Sequence, residues 1–334
     1  MLRKWRTDIS TEYCGLKLRS PIVIGACPLC LECEQARMMT IAGAGALVLP
    51  SLFEEQIVAE LATEGAALSA EEKKLDVQSY QSLFRVGINE YLSAIPRLKR
   101  QVGIPIFASL NGHTLGTWMR FGEQLQAAGV DAIEVCFEGV QRCSNESANL
   151  VEDKILRLVE EFCDLHSLPV AVKLSPFHTS LGNFAWRLIE VGAMGVVCFG
   201  SEPLWKHNCD SGVQSPAWHV STAGLFDQTL RGIANLNVSP LPISVAASGG
   251  ITSTEECIQA FAAGADVAMI TSEIYRSGPD AIAHIAEGIV GYLDRHDYET
   301  LSELRLAEQR PLLARQDVMQ MMVRSTEEFR MQQK

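Results

Sequence analysis

Pro21-Ile22-Val23-Ile24 is a short apolar run introduced by proline, and the chain repeats it. Proline also leads Pro105-Ile106-Phe107-Ala108, Pro169-Val170-Ala171-Val172 and Pro242-Ile243-Ser244-Val245. Between them lie runs introduced by glycine. Gly43 precedes Ala46-Leu47-Val48-Leu49, Gly129 precedes Ala132-Ile133-Glu134-Val135, Gly192 precedes Gly195-Val196-Val197-Cys198, and Gly264 precedes Val267-Ala268-Met269-Ile270. Unbroken apolar runs of this length suit parallel strands covered on both faces. A glycine just upstream suits the left-handed end of the preceding helix. Eight such strands with helical sequence between them predict an α/β fold, a (β/α)8 TIM barrel. In that fold the chemistry belongs to the residues directly after each strand.

Bulk properties narrow the function. The chain has 334 residues, is 47% hydrophobic and carries a formal charge of −12. With a pI near 5.1 and no basic stripe, nucleic-acid binding is not expected. An anionic ligand would have to be held by local donors. Met1 to Arg6 lead into polar sequence, and no run approaches membrane-spanning length. Ten cysteines without a secretion signal predict reduced thiols and a cytoplasmic protein.

The predicted organisation is a single domain over 1–334, with a barrel core at about 20–295 and a polar, helical extension at about 296–334. Residues 8–20 read as a hairpin placed to close the barrel floor. Val151, Ile155, Val159, Phe162 and Leu165 form one helical face; Ile282, Ile285, Ile289 and Leu293 form another, with Pro279 near its first turn. Two connections exceed what a βα unit needs: about 51–88 after the second barrel strand and about 200–226 after the sixth. Both follow strand C-termini, so both are expected over the active face as lids or substrate walls.

The fifth strand ends in Val172-Lys173-Leu174-Ser175-Pro176. A lysine on an apolar strand needs an anionic or polar partner, and Lys173 would place positive charge beside something electron-rich. A structural ion pair is the alternative. The seventh strand ends in Ser248-Gly249-Gly250-Ile251 and the eighth in Thr271-Ser272. Glycines that let backbone N–H groups approach, with hydroxyls beside them, suit a phosphate. Asn111 after the third strand can both donate and accept, as a heteroaromatic ring edge requires.

These segments resemble the dihydroorotate dehydrogenase family. The resemblance rests on Ser20-Pro21-Ile22-Val23 into Gly25-Ala26, Ala44-Gly45-Ala46, Ser109-Leu110-Asn111-Gly112, Val172-Lys173-Leu174-Ser175-Pro176 and Ser248-Gly249-Gly250-Ile251, and spans about residues 8–295. The stretch Leu49-Pro50-Ser51-Leu52-Phe53-Glu54-Glu55-Gln56 looks like its dihydroorotate dehydrogenase-like branch. The resemblance implies an FMN-dependent oxidoreductase of pyrimidine biosynthesis acting on CH–CH donors. Ala26, Cys27, Ser51, Asn111 and Ser248 would line the flavin, and Gly249, Gly250, Thr271 and Ser272 would hold its phosphate. Lys173 would sit by the N1/O2 edge and stabilise the anionic reduced ring.

The departures bear on substrate. The family's second lysine falls at Pro50. The cysteine or serine base after the fourth strand falls at Gly139, and its flanking asparagines at Cys136 and Gln141. The asparagine loop expected around 78–85 is absent. Each donor lost to a buried polar substrate costs about 1–3 kcal/mol, which argues against orotate but not against a flavin. Cys136 and Glu138 are the substitute candidates for a base, with Cys143 on the same loop; His113 and His178 also follow strands. The alternatives are a catalytically silent barrel acting as partner or sensor, and an iron–sulfur electron-transfer protein through Cys27-x-x-Cys30-x-x-Cys33. No other metal site is expected. A small-molecule substrate is implied, no nucleic acid or membrane, with a homodimer and a redox partner protein left open.

Overall fold

The computed structural model describes residues 7–75, 86–137, 146–200, 204–207, 212, 214–217, 223–238 and 241–307. An antiparallel hairpin, β1 (Thr11–Tyr13) and β2 (Leu16–Leu18), precedes the first barrel strand. The barrel strands are β3 (Ile22–Ile24), β4 (Ala46–Phe53), β5 (Ile106–Asn111), β6 (Ala132–Cys136), β7 (Val170–Lys173), β8 (Gly195–Cys198), β11 (Ser244–Ser248) and β12 (Val267–Ile270). They close in the order β11-β12-β3-β4-β5-β6-β7-β8, every pair parallel. This is the (β/α)8 barrel expected from the eight runs. A second hairpin, β9 (Leu204–His207) with β10 (Gln214–Ala217), stands in the long connection after β8.

The glycines that introduce alternate strands do what the pattern required. Gly43, Gly129, Gly192 and Gly264 all have positive φ, between 95° and 121°, where a side chain would be strained. The helix Ala148–Leu165 buries Ile155, Val159 and Phe162; the helix Asp280–Arg295 buries Ile282, Ile285, Ile289 and Leu293. These faces pack on the outward residues of the strands to make the larger core.

Inward residues form a second apolar cluster: Val23, Ala46, Val48, Phe107, Ala132, Ala171, Val197, Ala246, Val267 and Met269. Tyr13 and Leu18 of the hairpin join it, and the Tyr13 and Phe107 rings lie 5.5 Å apart. Cys14 N–H donates to Ser244 Oγ at 2.9 Å, tying the hairpin to the start of β11. The hairpin therefore plugs the N-terminal end of the barrel, and the mouth is at the other end.

β4 runs further than its apolar core. It continues through Pro50 to Phe53, with a register shift between Val48 and Ser51, so Ser51 lies on the strand and not in the following loop. The connection itself begins with a helix, Glu54–Thr63. Residues 76–85 fall outside the described residues, as does the extension beyond Ala307 that completes the stretch predicted at 296–334.

Candidate active site

Side chains on a strand alternate between faces, so the inward series of each strand can be followed to the mouth. From Phe107 it reaches Ser109 and Asn111; from Ala132, Glu134 and Cys136; from Ala171, Lys173; from Ala246, Ser248. Across strands, Asn111 pairs in register with Cys136, and Cys136 with Lys173. One rung of the mouth thus gathers an amide, a buried thiol and an ammonium, all three among the predicted site residues.

Lys173 is answered from below. Its Nζ lies 2.5 Å from Glu134 Oε1, with the lysine side chain 15% exposed and the glutamate 1%. The other carboxylate oxygen, Oε2, has no hydrogen-bond partner among the described residues. A carboxylate and an ammonium removed from water persist only because each offsets the other's charge. The partner that Lys173 needed is therefore intramolecular. Glu134 was legible: it is the one acid in an otherwise apolar strand, two residues from Cys136, and alternation alone turns it inward.

The ends of β11 and β12 are neighbours, Ser248 pairing with Met269. Gly249 and Gly250 have φ of +108° and +77°. A Cβ on Gly250 would lie 2.4 Å from Phe226 N, so only glycine fits between this turn and the start of the preceding helix, Phe226–Leu236. Thr229 Oγ1 donates to Ser248 O at 2.9 Å and to Gly249 O at 3.1 Å, which fixes the turn from behind. The Gly249 and Gly250 N–H groups reach no backbone carbonyl among the described residues. Donors held in place without an acceptor fit a phosphate group.

The helix after the glycine pair does not add to that cradle. Ser253 caps Thr254–Ala262 in a capping box, and Glu256 Oε2 accepts from Thr252 N–H at 2.6 Å and Ser253 N–H at 2.9 Å. That helix end already has its anion. On the β12 side, Thr271 precedes the helix Ser272–Ser277, and a Cβ on Gly25 would come within 2.4 Å of Thr271 Oγ1. Gly25 is thus required for the threonine to sit at the end of β3, beside Ala26.

The remaining expected residues divide. Ser51 Oγ lies 2.7 Å from Ser109 Oγ, so its hydroxyl bridges two barrel strands. Cys136 is buried at the rim. Glu138, Gly139, Gln141 and Cys143 lie outside the described residues. His113 rests against a fully buried acid that sequence reading missed, Glu54: His113 N–H donates to Glu54 Oε2 at 2.7 Å and His113 Nδ1 is 3.2 Å away. Thr114 N–H and Oγ1 donate to the same carboxylate. Burial still lifts the Glu54 carboxyl above its ordinary range, against those hydrogen bonds. His178 is 3.4 Å from Glu152 and stacks on Phe184, a packed position.

Cys27-x-x-Cys30-x-x-Cys33 splits into a pair and an outlier. Cys27 and Cys30 are buried with sulfurs 3.6 Å apart, while Cys33 opens the helix Cys33–Ala42. No group of three or more His, Cys, Asp or Glu side chains is disposed to hold a metal ion among the described residues.

A closed parallel barrel whose C-terminal rim collects a buried ion pair, a rigid glycine turn and an inward-facing amide is the scaffold of a barrel enzyme. The chain belongs to the dihydroorotate dehydrogenase family, whose model matches residues 9–293. Among its relatives, the dihydroorotate dehydrogenase B (NAD(+)) catalytic subunit of Caldicellulosiruptor saccharolyticus is 22% identical over 319 residues, covering 89% of this chain and 98% of its own length. The subunit of the same name in Petrotoga mobilis is 24% identical over 267 residues, covering 73% of this chain and 85% of its own. The NAD-dependent dihydropyrimidine dehydrogenase subunit PreA of Escherichia coli K12 is 22% identical over 315 residues, covering 89% of this chain and 76% of its own. The likeness supports an oxidoreductase. No helix among the described residues is long and apolar enough to cross a membrane.

Proposed function

We propose that the chain is an FMN-dependent oxidoreductase acting on a small dihydropyrimidine-type heterocycle at the barrel mouth. The observation that carries this is the Gly249-Gly250 turn: two donors without a carbonyl acceptor among the described residues, backed by Thr229, on the strand beside Thr271. Bound there, FMN supplies two-electron hydride chemistry. The chain's residues do the rest. Gly249, Gly250, Thr271 and Ser272 hold the phosphate, and Ala26, Cys27, Ser51, Asn111 and Ser248 line the ring. Lys173 presents positive charge from the rim rung it shares with Asn111 and Cys136, tempered by Glu134 at 2.5 Å. Cys136, on the rung between Asn111 and Lys173, and Glu138 are the groups assigned to proton transfer.

Names of relatives support the substrate class, since they act on dihydroorotate or on dihydropyrimidines. Those same names describe subunits, which supports a protein partner as the other redox party. The test is direct. Purified protein should carry a yellow flavin, and anaerobic dihydroorotate or dihydrouracil should bleach it. A colourless protein that takes up no added FMN would falsify the reading.

The Lys173–Glu134 pair also favours a second reading. An ammonium already matched by a carboxylate offers less charge to a reduced ring, as a catalytically silent flavin-binding partner or sensor would tolerate. Flavin that only dithionite reduces would select it.

A further inference from the structure

The flavin reading places Cys27 beside the ring and gives its neighbour in the CxxC segment Cys27-Pro28-Leu29-Cys30 no task. Its geometry is specific. Cys27 follows the mouth end of β3 in extended conformation and Pro28 starts the single turn Pro28–Leu31. Cys30 N–H donates to Cys27 O at 3.1 Å, which folds the two side chains onto the same side of the turn. The sulfurs stand 3.6 Å apart. A disulfide needs them at about 2.0 Å, an approach of about 1.5 Å that side-chain rotation can supply across one turn.

The two thiols are not equivalent. Both are buried, but Cys27 at 3% exposure retains a sliver of surface at the mouth end of β3 while Cys30 at 0% has none, so Cys27 is the nearer to an incoming reagent. Hydrogen bonds from Cys30, then from the Cys30 and Leu29 N–H groups and Tyr275, hold the Cys27 thiol below its ordinary value, whereas Cys30 is pushed well up. A lower-pKa thiol at the mouth end of β3, in front of a fully enclosed one, is the asymmetry of an attacking and a resolving cysteine. Tyr275 belongs to the helix Ser272–Ser277, so the pair is framed by the β3 and β12 ends of the mouth.

We propose that Cys27 and Cys30 form a thiol–disulfide redox site at the barrel mouth, exchanging two electrons with a small disulfide or dithiol. In the oxidising direction the Cys27 thiolate attacks one sulfur of the disulfide, whose other sulfur leaves as a thiolate. Cys30 gives up its proton and displaces the second half from the mixed disulfide. The Cys27–Cys30 bond forms, and the reagent departs as two thiols carrying the two electrons and two protons.

The experiment equilibrates the folded chain anaerobically with oxidised and reduced dithiothreitol over a range of ratios. Acid quenching, alkylation of remaining thiols and fragment-ion mapping of the peptide between Arg19 and Arg37 follow, with Cys33 on that peptide as the internal reference. The expected result is that Cys27 and Cys30 lose alkylation together in one transition, the peptide becoming lighter by two hydrogens, while Cys33 stays alkylated. With oxidised glutathione, Cys30→Ser should retain one glutathione on Cys27, and Cys27→Ser should take up none at Cys30. A pair that stays fully alkylated at every ratio in the folded chain, or a bond made to Cys33, overturns the proposal. The wild-type map decides this even where a variant misfolds, and no flavin is involved, so its failure leaves the flavin reading untouched.

Discussion

Replacing Lys173 with methionine should destabilise the fold more than replacing Glu134 with glutamine, although both break the same contact. The structure makes the two sides unequal. Lys173→Met leaves Glu134, 1% exposed, without its cation and with Oε2 already lacking a hydrogen bond among the described residues. An orphaned buried charge of this kind costs about 3–5 kcal/mol. Glu134→Gln leaves Lys173, 15% exposed, whose ammonium can turn toward water in the mouth. That loss is held to about 1–3 kcal/mol. The double variant Lys173→Met/Glu134→Gln removes both charges and should return to within about 1.5 kcal/mol of wild type, since neutral replacement of a buried pair is often close to free. Urea unfolding followed by circular dichroism at neutral pH measures all four proteins. Equal costs for the two single variants, or costs that simply add in the double variant, would show that the pair is not held as described.

Gly250→Ala sets a Cβ 2.4 Å from Phe226 N at a φ of +77°, and should cost about 1–3 kcal/mol of stability and abolish FMN retention, read by urea midpoint and by flavin content. Thr229→Val removes the hydroxyl that serves Ser248 O and Gly249 O, and should cost about 1 kcal/mol while weakening FMN binding in a fluorescence titration. Burial raises the Glu54 carboxyl, so its stabilising contribution is full below the ordinary carboxylate range and lost as the pH rises through the folded value; Glu54→Gln should remove that slope, and a difference from wild type that does not change with pH in urea midpoints refutes it.

The barrel was legible because strands buried on both faces read as apolar runs, and because Gly43, Gly129, Gly192 and Gly264 each mark a helix end that a side chain would strain. Lys173, Asn111 and Cys136 were legible as rim residues because each ends such a run. What escaped depends on register between strands far apart in sequence. Ser51 looked like a loop residue because the shift after Val48, which carries β4 on to Phe53, leaves no mark in the local pattern. Glu54 looked like one of two adjacent acids, and only its burial against His113 and Thr114 distinguishes it. Glu134 could have been found by alternation, but its partner could not, since the pairing of β6 with β7 decides which lysine it meets. The cysteine run had the spacing of a cluster, yet the turn at Pro28–Leu31 brings two sulfurs together and Cys33 enters the next helix.

The inward residues packed through the barrel, capped from below by Tyr13 and Leu18, leave a cup at the mouth and no through-passage. A cup has one opening, and whatever stacks in it does so in order. The molecule seated deepest enters first and leaves last, trapped for as long as another lies above it. Exchange of the deeper occupant should therefore slow in proportion to how fully the upper place is filled.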